Sequence, residues 1–146
     1  MKSKISTWFE TKARVEMTDH NGMKKKAVEL FAGDAPNWTC AEANITGELA
    51  PFGEFEILDI SKAKYTEVFF SDSEKDDKWY KCKVQFITID EKTEKEKRSN
   101  VIYLVQAATL EGARKAIDGE FQKTMCDYVI VSVVETKIMD VFIRKE

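Results

Sequence analysis

The chain has 146 residues and a mass of 16.8 kDa, with 23 Lys+Arg against 26 Asp+Glu for a net charge of −3. That balance excludes a polycation holding nucleic acid by bulk charge, while 43% apolar residues suffice for a compact core. No window approaches the roughly eighteen apolar residues of a membrane span, and residues 1–7 lack a signal-peptide apolar segment, so a cytoplasmic protein with no membrane partner is expected.

Residues 7–17 alternate, with Phe9, Ala13, Val15 and Met17 on one face and Trp8, Glu10, Lys12, Arg14 and Glu16 on the other, as a half-buried strand does. Asp19-His20-Asn21-Gly22 reads as a hairpin turn in which Asn-Gly supplies positive φ, and residues 23–32 return as a second strand opening on Lys24, Lys25 and Lys26. A helix is expected over residues 38–50, with Asn37 or Thr39 as N-cap; Thr39 with Glu42 has capping-box spacing, and Pro51 stops the helix. Residues 55–60 and 66–70 read as two further strands, and 71–78 as a polar link. Strands then follow over 79–89 and 98–107. Next come a helix over 110–121 with Leu110, Ala113, Ile117 and Phe121 as its buried stripe, and strands over 128–135 and 138–143.

The second series repeats the first. At a shift of 71, Trp8-Phe9 falls on Trp79-Tyr80; at 72, Ile45-Thr46-Gly47-Glu48-Leu49 falls on Ile117-Asp118-Gly119-Glu120-Phe121; at 73, Lys64-Tyr65-Thr66-Glu67-Val68-Phe69 falls on Lys137-Ile138-Met139-Asp140-Val141-Phe142. The expected fold is α+β: an internally duplicated β-β-α-β-β unit, copies at about 7–70 and 79–143, antiparallel sheets each packed on a helix. The copies form one compact domain around a pseudo-twofold axis.

Familiar catalytic patterns are missing. There is no dinucleotide, P-loop, zincin or hydrolase-elbow motif, and His20 is a lone histidine in a turn. Cys40, Cys82 and Cys126 are an odd, widely spaced set, read as reduced, mostly buried small hydrophobes. The acidic run Asp72, Glu74, Asp76 and Asp77 has no glycine at the sixth position and Lys83 at the twelfth, so it fails as a calcium loop. No catalytic residue, metal or cofactor is expected.

One constellation points to a ligand. Trp8 shares its strand face with Lys12 and Arg14, and Trp79 shares its own with Lys83; Lys24 and Lys26 add charge on the neighbouring strand. A flat ring beside cations suits single-stranded DNA or RNA, where a base stacks and the cations meet phosphate. The leading expectation is thus a non-catalytic binding protein for single-stranded nucleic acid. The alternatives are a protein-interaction or small-ligand-sequestering module, with a protein partner or homo-oligomer, and a sheet face that buries both tryptophans against the other copy.

Two resemblances accompany these residues. Through Trp8-Phe9, Lys64 to Phe69, Trp79-Tyr80-Lys81, Phe86 to Lys92 and Glu135 to Phe142, the chain resembles an uncharacterised domain-of-unknown-function family of about 150 residues in gut Bacteroidetes and their phages. Its repeat of four strands and a helix, and the run Lys24-Lys25-Lys26-Ala27-Val28-Glu29-Leu30, are similar to the Whirly and Pur-type single-stranded DNA-binding proteins. The second resemblance implies a nucleic-acid role.

Overall fold

Two long hairpins organise the chain, and each forms because an alternating strand meets a turn and returns in register. A computed structural model describes residues 1–18 and 20–144; Asp19 of the expected turn and the side chain of Met17 lie outside the described residues. A short first strand, β1 (Lys2–Ile5), absent from the sequence reading, precedes β2 (Trp8–Thr18) and β3 (Lys24–Asp34), which pair antiparallel along their full lengths. Gly22 adopts the positive φ, 76°, that the turn needs. In the second half, β6 (Lys78–Ile89) and β7 (Glu96–Ala107) pair the same way.

Each hairpin leads into a helix. Helix α1 (Trp38–Leu49) is capped by Asn37, whose side chain accepts from the Cys40 amide at 2.9 Å, so the Thr39 capping box does not form. Helix α2 (Leu110–Gln122) is capped by Thr109, which accepts from Gly112 at 3.0 Å. Ala41, Ile45 and Leu49 face inward from α1, and Ala113 and Ile117 from α2, at the four-residue spacing of one helix face. Leu110, expected in the α2 stripe, is exposed at the first position of the helix. The remaining strands are β4 (Phe55–Lys62), β5 (Glu67–Phe70), β8 (Asp127–Glu135) and β9 (Ile138–Phe142); a single 3-10 turn, Ala50–Phe52, separates α1 from β4.

The fold is α+β, as the pattern required, but the sheets are mixed rather than wholly antiparallel. One has the order β4-β2-β3-β9 and the other β1-β5-β7-β6-β8. The last strand of each copy joins the other copy's sheet: β9 pairs parallel with β3, and β5 parallel with β7. The chain accordingly divides into two compact units, residues 1–5 with 65–136 and residues 6–64 with 137–146, whose borders are not those of the repeats.

Local detail is duplicated as well. Register shifts between Lys12 and Ala13 where β2 meets β4, and between Lys83 and Val84 where β6 meets β8. The extra residues, Leu58 and Val131, both point into solvent. Within two residues of the end of each exchanged strand, a backbone amide donates to a side chain closing the long hairpin. Arg144 N–H binds Asp34 at 2.5 Å and Ser71 N–H binds Gln106 at 3.0 Å.

Candidate ligand-binding site

The tryptophan platform does not form. Trp8 is fully buried and Trp79 is 4% exposed, so neither ring offers a face to a base. The chain after each edge strand returns over the strand end that carries the ring: Ala63 N–H donates to the Trp8 carbonyl at 2.8 Å, and Thr136 N–H to that of Trp79 at 2.9 Å. Phe70 meets Trp79 edge-on at 5.7 Å. Strand periodicity gives the side of the sheet correctly but not what covers it, so the stacking role of both residues is withdrawn.

Of the associated cations, Arg14 and Lys26 line one shallow cleft of about 210 Å³ together with Glu54, Phe55 and Glu56. Lys12, Lys24 and Lys26 are exposed and Lys83 is half-buried. Arg14 is tied to Glu56 on β4 at 2.9 Å, and Lys12 lies opposite Asp59 in the same pairing. A guanidinium neutralised by a neighbouring carboxylate contributes little to phosphate binding. The cysteines also differ from expectation, because only Cys82 is buried; Cys40 is half-buried and Cys126 exposed. Burial pushes the Cys82 thiol up to about 12, which keeps it protonated and unreactive at neutral pH.

What the structure does bring together lies under α1. A cavity of about 250 Å³ opens between α1, the ends of β2 and β3, and the exchanged strand β9. Phe9, Ile45 and Phe142 give it apolar walls, and Thr11, Asp34, Asn44 and Glu48 supply polar groups. Thr11 is 3% exposed, and its hydroxyl has no hydrogen-bond partner among the described residues. Asp34, 2% exposed, is held in place: its carboxylate accepts from Arg144 N–H and from Ser6 Oγ at 3.3 Å, while Asn44 Nδ2 donates to its backbone carbonyl at 3.4 Å. Phe142 stacks on Phe31 with centroids 5.8 Å apart, and Phe9 meets Trp38 edge-on at 5.1 Å.

The other copy carries no such set of residues in the corresponding places. By strand register and helix cap, Phe9 corresponds to Tyr80, Thr11 to Cys82, Gly33 to Val105 and Asn44 to Ala116. Tyr80, Cys82 and Val105 belong to one continuous buried cluster with Phe69, Val84, Tyr103, Ala113 and Ile117. In the first copy the described core residues include two separate clusters: Ala13, Val15, Phe31, Ile45 and Leu49 form one, and Phe9, Ala35 and Ala41 another. The cavity lies between them because Gly33 has no side chain where Val105 fills space. A Cβ built on Gly33 would meet Phe142 only at ordinary contact, 3.5 Å to its carbonyl oxygen and 4.0 Å to its Cβ.

Residues 7–145 match the family described as a domain of unknown function (DUF4494). The chain belongs to that family. No curated protein and no solved structure matches it.

For this member of the DUF4494 family, reading the sequence for motifs passes over Thr11, Gly33 and Asn44, since none belongs to a catalytic or metal pattern. A signal was nonetheless present in the repeat: at shifts of 71 and 72, three apolar positions of the second copy carry a hydroxyl, a glycine and an amide in the first. Among the described residues no group of three or more His, Cys, Asp or Glu side chains is arranged to hold a metal ion, and no helix is long and apolar enough to cross a membrane.

Proposed function

We propose that this protein is a non-catalytic binding protein in which the first copy keeps a cavity for a compact small molecule and the second copy is the closed counterpart. One observation carries the reading: the hydroxyl of the buried residue Thr11, without a hydrogen-bond partner among the described residues, opens onto space that the duplicate fills with Cys82 and Val105. A hydroxyl that opens onto a cavity is left free to hydrogen-bond a polar group bound there. About 250 Å³ lies below the usual range of cofactor sites and suits on the order of ten non-hydrogen atoms. The outer sheet face keeps exposed lysines but has no accessible tryptophan on which a base could stack, so single-stranded nucleic acid is the weaker reading.

Gly33→Val tests the proposal, since it transplants the duplicate's own residue into a strand that favours β-branched side chains. A fragment panel should contain compounds that raise the wild-type melting temperature by roughly 3–5 °C at about ten times their Kd. The variant, folded by circular dichroism, should lose those shifts. Equal shifts in both proteins would place the binding elsewhere and end the reading.

A further inference from the structure

The polar groups of the cavity are unequal in kind, and their chemistry restricts the ligand. Glu48 projects from α1 at the cavity, half-buried, with no hydrogen bond or ion pair among the described residues. An ionised carboxylate only accepts hydrogen bonds. Thr11 brings a hydroxyl whose oxygen also accepts, and Asp34 adds a second carboxylate, already committed to holding the chain after β9. The apolar walls include the Phe9 and Phe142 rings, which can pack on an apolar body. Acceptors, negative charge and aromatic side chains therefore line a space of about 250 Å³. Arg144, the lining cation, is exposed at the rim.

Resting on the cavity reading above, we infer that the ligand is a primary ammonium on a compact apolar body. Its –NH₃⁺ donates to Glu48 and to the Thr11 hydroxyl, and its apolar part lies between Phe9 and Phe142. Three donors on a small cation match the acceptors offered, and a charge-assisted hydrogen bond to a partly desolvated carboxylate is about twice as strong as a neutral one. A free amine and an α-amino acid share this chemistry. They differ in the carboxylate that Arg144 would meet at the mouth.

The test is titration calorimetry on the full chain at pH 7 with four matched probes: 2-phenylethylamine, phenylalanine, 2-phenylethanol and 3-phenylpropionate. The amine, the amino acid or both should bind at least tenfold tighter than the alcohol and the acid. Glu48→Gln should cut that binding about tenfold while leaving the alcohol's affinity unchanged. An amino-acid preference that Arg144→Gln abolishes identifies the amino acid as the source; an equal or better amine identifies the free amine. Alcohol or acid binding as tight as the ammonium compounds, and lost in Gly33→Val, would overturn the ammonium inference and leave the cavity reading standing. No binding by any of the four would overturn the inference, and a fragment panel with no Gly33→Val-sensitive member would overturn the cavity reading as well.

Discussion

Thr11 shows how little separates a core position from a site position. It lies on the same strand face as Phe9, Ala13 and Val15, and is as buried as they are. Thr11→Val should raise stability by up to about 1 kcal/mol, because an isosteric methyl replaces a hydroxyl that makes no hydrogen bond to the described residues. Chemical denaturation measures that gain, and a loss of stability would mean that the hydroxyl is satisfied in solution. The same variant should weaken any cavity ligand, the usual opposition between stability and function. Burial also ranks the thiols: Cys126 should react with a disulfide reagent first, Cys40 more slowly, and Cys82 only on unfolding. The Cys82 thiol and the Tyr103 hydroxyl, the latter raised by burial and then by Glu67, are each pushed up to about 12. Both hold their protons more tightly folded than unfolded, so the stability they contribute is intact below about pH 9 and declines as pH rises toward 12. Urea midpoints at pH 8, 10 and 11 should fall in that order. The side of the strand on which each residue sits was readable from alternation, but Trp8 and Trp79 show that a side chain's face does not reveal its cover, which depends on chain distant in sequence.

At the level of elements, local physics carried the reading a long way. Both long hairpins, both helices and the closing strands fall within a few residues of their expected limits, since alternation, Asn-Gly, the N-caps and Pro51 are all short-range signals. The missed strand β1 has only four residues and no strong pattern. The pairing of β5 and β9 was not readable for a different reason: strands of four and five residues fit either neighbouring sheet by composition, and parallel partners need no turn to declare them. Helix α2 offers a local test. Gly119 is exposed in its interior, and a Cβ there meets nothing within 4 Å. Gly119→Ala should therefore stabilise by about 0.5–1 kcal/mol, raising the melting temperature by roughly 1–4 °C. A decrease would show that α2 needs the glycine for a contact absent from the fold described above.

For the whole chain, reciprocal exchange makes each copy depend on the other. Val68 and Phe69 of the first copy are buried in the β5 place of one sheet, and Ile138 and Val141 of the second copy in the β9 place of the other. Each such side chain contributes about 1.5–3 kcal/mol by burial. A backbone amide within two residues of each exchanged strand is held as well, Ser71 by Gln106 and Arg144 by Asp34, so both strands are anchored beyond their own ladder. Neither copy alone contains a complete sheet. This arrangement also permits the division of labour proposed for the two cores: one copy can open a cavity while its exchanged strand remains anchored in the closed core of the other. A protease site inserted between the exposed Glu74 and Lys75 of the polar link tests the dependence directly. After cleavage under native conditions the fragments should co-elute at the mass of the intact chain and separate only in denaturant, because parting them withdraws β5 from β7 and β9 from β3 together. Fragments that separate in buffer and remain individually folded would show instead that each copy completes its own sheet, contrary to the observed pairing.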